Sequence, residues 1–221
     1  DLALFAEMGF KVLRLSIAWT RLYPTGEETE PNPEGIAFYR NVFEEMQRLH
    51  IEPLVTLSHY EMPLHLSVTY NGWTERKVIG AFVRFCRTCF EQFGSYVKYW
   101  LTFNEVDSVI RHPFTTAGIV PDLCGEKGEL ACCYQALHHQ FVASARAVKL
   151  GKAINPDFQF GTMICHITVY PLTCNPDDVL MTQQEDLMRN CFSGDVQVKG
   201  VYPYYIKRYF ERQGIEFEIT Q

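Results

Sequence analysis

An amide and a carboxylate stand side by side at Asn104 and Glu105, where a buried strand is expected to end. The apolar run at 97–101 predicts that strand, and the sequence TFNE at 102–105 closes it. A desolvated carboxylate is costly unless it is paired or its pKa shifts, so a glutamate here suggests proton-transfer chemistry. Taken alone, the pair is better explained as a cap for the following helix, and only the rest of the chain favours chemistry.

Polar and aromatic side chains also lie at the ends of the other three predicted strands. They are Arg14, Ser16, Trp19 and Arg21 at the first strand, Ser58, His59, Tyr60 and Glu61 at the second, and His166 with Tyr170 beyond it at the fourth. Structural roles are available for single members: Arg14 could be an ion-pair partner and His59 a core histidine. Trp19 and Tyr60 could be packing residues. Any one of these structural explanations could hold by itself. That all of them hold at once, for residues on one face, is much less expected.

These residue types together would suit a sugar. Amide and imidazole groups bind hydroxyls, and aromatic faces pack against the C–H surfaces of a pyranose ring. A carboxylate is then available for proton transfer. The strand ends therefore predict a carbohydrate site, provided that the strands are parallel and share one edge of a sheet.

Size and charge narrow the classes of protein. The chain has 221 residues, 47% of them hydrophobic, which suffices for one large domain or two small ones. Its 20 basic and 26 acidic residues give a net charge of −6, and with no basic run it is a poor candidate for nucleic acid. We expect no membrane span and no signal peptide before the first strand. No residue cluster suggests a metal or organic cofactor, and homo-oligomerisation stays open.

The chain has 8 cysteines, an even number that invites a disulfide interpretation, but their placement argues against one. Cys86 and Cys89 lie in a predicted helix beside phenylalanines, and Cys165 follows a strand. Buried reduced thiols behave as small hydrophobic groups, and a chain of this size needs no covalent staples. The C-x-x-C spacing of Cys86 and Cys89 lacks a second pair and falls mid-helix, which disfavours redox or metal chemistry. The cysteines therefore favour a reducing compartment.

Strands and helices are predicted to alternate. Strands are expected at 10–17, 52–57, 97–105 and 158–164, and helices at 1–8, 35–49, 75–93, 130–154, 176–190 and 203–213. Continuous apolar strands with short returns from helix to strand are typical of a parallel sheet with right-handed crossovers. No Gly-x-Gly-x-x-Gly turn follows a strand, so a dinucleotide-binding sheet has no support.

The long segments follow the strands, which is where a (β/α)₈ TIM barrel keeps its active site. Only four strands are predicted, whereas a closed barrel needs eight. We therefore predict an α/β chain that forms about half of a barrel, covering roughly strands 2 to 5, as one incomplete catalytic domain over residues 1–221. A closed, self-contained barrel would contradict this prediction.

Three segments resemble glycoside hydrolase family 1. They are RLSIAW at 14–19, His59 before the Met-Pro at 62–63, and TFNE at 102–105, and the resemblance runs over essentially the whole chain. Within the family, SHYEMP at 58–63 and YPLTCNPDD at 170–178 resemble the bacterial 6-phospho-β-glucosidase branch. General β-glucosidases more often have Trp after that histidine and Asp-Leu before the proline.

The resemblance implies a retaining mechanism with two glutamates. Glu105 matches the acid/base, which protonates the glycosidic oxygen and then deprotonates the attacking water. Asn104 matches the residue that binds the sugar 2-hydroxyl, and His59 a ligand of the other hydroxyls. Tyr60, the next residue, is also expected to bind substrate. Arg14 matches the cation that keeps the nucleophile ionised and oriented.

In that family the nucleophile and the phosphate-gripping loop lie further along the chain, so we expect residues 1–221 alone to be inactive. The leading function is hydrolysis of 6-phospho-β-glucosides by the complete protein. The alternatives are a β-glucosidase or β-galactosidase for unphosphorylated sugars, and a non-catalytic sugar-binding or scaffold protein. A cytoplasmic location is expected because phosphorylated disaccharides occur inside cells and the thiols suggest reducing conditions.

Overall fold

The structure of the chain is a computed structural model, which describes residues 1–220. Its four strands form a single parallel sheet: β1 (Val12–Ser16), β2 (Glu52–Ser58), β3 (Tyr99–Asn104) and β4 (Gln159–Met163). Each strand pairs with the next one along the chain, in the order β1-β2-β3-β4. This sequential order is that of a barrel wall, whereas in a doubly wound sheet the order of the strands reverses part-way across the sheet. The predicted parallel α/β sheet is confirmed.

Three long helices, α3, α5 and α7, cross over between successive strands. The helices are α1 (Leu2–Glu7), α2 (Trp19–Leu22), α3 (Pro33–Arg48), α4 (Leu64–Tyr70), α5 (Lys77–Phe93), α6 (Pro113–Ala117), α7 (Gly128–Ile154), α8 (Pro176–Asp186), α9 (Phe192–Lys199) and α10 (Tyr204–Gln213). Local sequence explains some of their ends. Asn32 caps α3 by accepting a hydrogen bond from the backbone N–H of Glu34 at 3.1 Å, with Pro33 at the first helical position.

Several short elements were not predicted from the sequence. Helices α2, α4 and α6 occupy segments that were expected to be loops. The helix expected to continue to residue 190 ends at Asp186, and a π-helical turn (Leu187–Cys191) and α9 follow, so the last part of the chain has three helices rather than two. Such short helices depend on tertiary packing more than on local propensity, which is why their sequences do not indicate them.

An aromatic cluster fills the core between the sheet and α5. Trp19 is 1% exposed, and its ring lies 5.6 Å from that of Phe82 and 6.3 Å from that of Trp73. The interpretation of Trp19 as an aromatic face for a sugar is therefore wrong, because α2 turns this side chain inward. Cys86 and Cys89 are buried and free in the same region.

One carboxylate ties the loop after β1 to the two helices that follow β2. Glu27 accepts hydrogen bonds from Lys77 Nζ at 2.6 Å, from His65 Nε2 at 2.6 Å and from Tyr70 Oη at 2.9 Å. These three partners, Lys77 foremost, lower the pKa of Glu27 to about 2. The ionised carboxylate is therefore the form that the folded protein favours.

Replacing Glu27 with Gln should lower the melting temperature at pH 7, by an amount that decreases in acid. The pKa of Glu27 is lower when folded than its ordinary 4.5, so its contribution is present above pH 4.5 and is lost as the pH falls towards 2. Thermal denaturation of the wild type and the variant from pH 7 to pH 2.5 measures the difference between their melting temperatures. Glu126→Gln, at an exposed position, is the control. A difference in melting temperature that does not change with pH would contradict this role of the ionised Glu27 carboxylate.

Candidate active site

The carboxyl ends of β1, β2 and β3 lie side by side and carry a chain of hydrogen bonds. Arg14 of β1 donates from Nε to Thr56 Oγ1 at 3.0 Å and from Nη2 to Asn104 Oδ1 at 2.6 Å. The guanidinium group therefore crosses β2 and orients the amide at the end of β3. Because Asn104 Oδ1 accepts this bond, the amide nitrogen is the group of this side chain that can donate.

Glu105 follows β3 directly, and its carboxylate turns towards the loop after β2. Tyr60 Oη donates to Glu105 Oε2 at 2.5 Å, and Ser108 Oγ lies 3.4 Å from the same oxygen. The Glu105 side chain makes no capping hydrogen bond to the 3₁₀ turn Val106–Ile110 that follows it. The helix-cap explanation of this glutamate is therefore wrong.

Partial desolvation shifts the pKa values of two neighbours of Glu105. Desolvation, and then the hydrogen bond to Glu105, raise the pKa of Tyr60 to about 12, so this hydroxyl keeps its proton and acts as a donor. Desolvation, and then the charge of Arg14, lower the pKa of His59 despite the opposing effect of Glu105. The imidazole is therefore held in its neutral form, which can both donate to and accept from sugar hydroxyls.

The loop that carries His59 and Tyr60 is fixed by its own carboxylate. Glu61 Oε1 and Oε2 accept from the backbone N–H of His59 at 3.2 and 3.0 Å. Burial raises the pKa of Glu61, and its backbone hydrogen bonds oppose that change. Tyr60 has a φ of 74°, in the left-handed region, and this turn is what directs its ring towards Glu105.

Five residues predicted for the site therefore lie together. Arg14 bonds to Asn104, Tyr60 bonds to Glu105, and the ring of His59 lies 5.2 Å from that of Tyr60. His59 is exposed, so it is not a core histidine.

Other polar residues proposed for the strand ends lie elsewhere. The Arg21 guanidinium stacks on Phe38 at 4.0 Å from the ring centroid, against α3. His166 and Tyr170 lie beyond β4 and are exposed, Tyr170 by 82%. Neither has a described hydrogen bond that would fix it in the site.

Three residues that support Glu105, namely Asp107, Ser108 and Arg111, were not identified from the sequence. Arg111 Nη2 donates to Ser108 Oγ at 2.8 Å and lies 3.8 Å from Asp107 Oδ2. Asp107 is buried, its Oδ1 accepts from the backbone N–H of Cys165 at 3.0 Å, and desolvation raises its pKa. Glu105, Ser108 and Arg111 follow one another at intervals of three, which is the period of a 3₁₀ turn. That spacing was the available signal.

Within residues 1–220, no group of three or more His, Cys, Asp or Glu side chains is placed to hold a metal ion. In the same range no helix is both long and apolar enough to cross a bilayer.

The fold and this site define a class of protein. A parallel wall of strands in sequential order is the arrangement of a (β/α)₈ barrel, and the guanidinium, amide and carboxylate groups lie at its carboxyl edge, where barrels of this type carry their active sites.

The chain belongs to glycosyl hydrolase family 1, whose model matches residues 1–221. It is 51% identical over 223 residues to the aryl-phospho-beta-D-glucosidase BglH of Bacillus subtilis (strain 168), covering 100% of this chain and 46% of BglH. It is 52% identical over 220 residues to a 6-phospho-beta-glucosidase of Clostridium longisporum, covering 99% of this chain and 46% of that protein. The chain therefore spans about half the length of the curated relatives it matches.

A solved structure shows the same fold. The family 1 β-glucosidase from Thermotoga maritima superimposes with a TM-score of 0.86 at 25% identity, covering 99% of this chain and 48% of that one. The prediction of a partial (β/α)₈ barrel is confirmed, and so is the resemblance to the phospho-β-glucosidase branch of the family.

Proposed function

We propose that the complete protein hydrolyses 6-phospho-β-glucosides with retention of configuration. Glu105 is the acid/base, and the nucleophile is a glutamate outside residues 1–221. The observation that carries this proposal is the carboxylate of Glu105, held by Tyr60 at 2.5 Å at the carboxyl end of a barrel strand. The names of the relatives that are about half identical to this chain support the phosphorylated substrate.

Two steps would use Glu105. In the first, its proton passes to the glycosidic oxygen as the bond to the sugar breaks and the nucleophile takes the anomeric carbon. In the second, the carboxylate takes a proton from the water that attacks the covalent intermediate. A group that must be acid and then base has to be rigidly placed for both, which its hydrogen bonds to Tyr60 and Ser108 provide.

The neighbours of Glu105 have roles that match their hydrogen bonds. Asn104 donates from its amide nitrogen to the sugar 2-hydroxyl, an interaction that strengthens at the oxocarbenium-like transition state. Arg14 fixes that amide and supplies a positive charge beside the nucleophile. His59 and Tyr60 bind the glycone. Since His59 is exposed and neutral, it can exchange hydrogen bonds with hydroxyls.

The proposed function has consequences for the domain organisation, the cofactors and the cellular location of the protein. Residues 1–221 belong to one catalytic domain and are inactive without the nucleophile. Two-carboxylate chemistry uses no metal or organic cofactor. Phosphorylated disaccharides occur inside cells, so we propose a bacterial, cytoplasmic enzyme.

The complete protein should favour p-nitrophenyl β-glucoside 6-phosphate over p-nitrophenyl β-glucoside by about 10³-fold or more in kcat/KM. A site that hydrogen-bonds a charged group rejects an analogue without it, because its own polar groups are left unpaired. Initial rates of p-nitrophenol release measure both constants. The α-anomer of the phosphorylated substrate is the control, and it should not react. Equal or higher activity on the unphosphorylated glucoside would favour the β-glucosidase alternative instead.

A further inference from the structure

Both hydroxyl donors that reach Glu105 contact one oxygen. Tyr60 Oη lies 2.5 Å and Ser108 Oγ 3.4 Å from Oε2. The high pKa of Tyr60, about 12, keeps its hydroxyl protonated, so that hydroxyl is a donor in this pair. With the carboxylate ionised, both donors are directed at Oε2, and within residues 1–220 no hydrogen bond to Oε1 is described. Oε1 is therefore the oxygen left open to exchange a proton with substrate or water.

The backbone on both sides of this contact is unusual. Within residues 1–220, only four residues other than glycine have positive φ: His50, Tyr60, Asn71 and Glu105. Two of these four, Tyr60 at 74° and Glu105 at 48°, are hydrogen-bonded to each other through their side chains. Left-handed backbone is costly for a residue with a side chain, and it persists where the surroundings impose it, commonly at functional sites.

The second donor is itself oriented. Because Arg111 Nη2 donates to Ser108 Oγ at 2.8 Å, the serine oxygen acts as an acceptor on that side. Its own hydrogen is then free to point at Glu105 Oε2. Asp107 Oδ2 lies 3.8 Å from the same guanidinium group and adds an opposite charge beside it. The contact to Oε2 is therefore supported from the loop after β2 and from the turn after β3.

We propose that Tyr60 is a positioning residue, which with Ser108 fixes Oε2 of Glu105 so that Oε1 is the atom that gives and takes the proton. This inference rests on the proposed function, in which Glu105 is the acid/base. It assigns Tyr60 to the carboxylate in addition to the sugar. The proton that leaves Oε1 goes to the glycosidic oxygen, and the proton that returns to Oε1 comes from water.

Removing the Tyr60 hydroxyl should shift the pH dependence of kcat/KM in one direction. A donor to Oε2 stabilises the ionised carboxylate more than the neutral acid, so removing it favours the acid. The charged or titratable groups described around Glu105 include His59 and Asp107, Arg111 beyond Ser108, and Arg14 beyond Asn104. None of these is altered by replacing Tyr60 with Phe. The basic limb of the kcat/KM profile, where the acid form is lost, should therefore move to higher pH.

Kinetics of Tyr60→Phe in the complete protein test the proposal. We expect kcat/KM for an alkyl 6-phospho-β-glucoside to fall about 100-fold, because a mobile acid is poorly placed for a demanding leaving group. A dinitrophenyl substrate, which needs little protonation, should lose less than about threefold. The basic limb should move to higher pH. Tyr204→Phe, at a position 90% exposed, is the matched control and should change nothing.

Three outcomes would overturn the proposal. One is an equal loss on both substrates, another is an unmoved basic limb, and the third is a rise in KM alone, which would indicate that Tyr60 only binds sugar. If Tyr60→Phe does not fold, Ser108→Ala reports on the same oxygen and should shift the limb in the same direction by a smaller amount. Glu105→Gln separates the two hypotheses, because a Gln variant that still cleaves alkyl substrates would contradict the proposed function whatever Tyr60 does.

Discussion

Replacing Glu105 with Gln is expected to slow the hydrolysis of cellobiose 6-phosphate by the complete protein by about 10³- to 10⁴-fold. The amide has the size of the carboxyl group but cannot give a proton to the glycosidic oxygen or take one from water. An aryl substrate with a good leaving group can still glycosylate the nucleophile without acid help. Such a substrate should give a burst of phenol followed by slow turnover, because the second step lacks its base.

Stopped-flow measurement of phenol release separates the two steps. Glu91→Gln is the matched control, because Glu91 is on the outer helix α5 in a half-exposed pair with Arg87 at 3.4 Å. That change should leave both rates as in the wild type, since exposed ion pairs contribute little. Wild-type-like rates of the Glu105 variant on cellobiose 6-phosphate would rule out the acid/base assignment.

Replacing Gly72 with Ala is expected to destabilise the protein by about 3 kcal/mol. Gly72 has a φ of +59°, and a Cβ there would lie 2.2 Å from the carbonyl oxygen of Ala117 and 2.6 Å from that of Gly118. Both are backbone atoms, which cannot rotate away as a flexible side chain would. The close approach packs the turn between α4 and α5 against the end of α6, so the substitution disturbs the contact between the segment that follows β2 and the segment that follows β3.

Gly80→Ala provides the contrast for this prediction. Gly80 is on the exposed side of α5, and a Cβ there would meet nothing within 4 Å. Alanine should therefore stabilise the helix by roughly 0.5–1 kcal/mol. Urea denaturation of the complete protein gives both changes in the free energy of unfolding. Equal effects of the two substitutions would show that the approach of Gly72 to Ala117 does not constrain the fold.

The sequence predicted the elements whose patterns are long and regular. The apolar strands and the helices α3, α5 and α7 were expected within a few residues of their observed ends, because their periodicity reflects burial. The position of Glu105 followed from the strand before it. Short helices such as α4 escaped prediction, because contacts with distant residues such as Gly26, close to Leu66, hold them in place.

The contacts within the site were much less predictable. Nothing in the residues around Tyr60 indicates a left-handed backbone, and without it the hydroxyl would not reach Glu105. Trp19 was wrongly assigned to the sugar because a tryptophan near a strand end is equally compatible with a core position. Its direction depends on α2, a single turn whose sequence carries no clear signal.

The most direct test of the central claim, that Glu105 is the acid/base of a retaining glycosidase, is the effect of azide on Glu105→Ala. The substrate is dinitrophenyl β-glucoside 6-phosphate, and the measurements are the steady-state rate and the anomeric configuration of the product. Azide needs no base, so it should attack the covalent intermediate, accelerate turnover and give the β-glycosyl azide. An unchanged rate, or an α-glycosyl azide, would contradict this account.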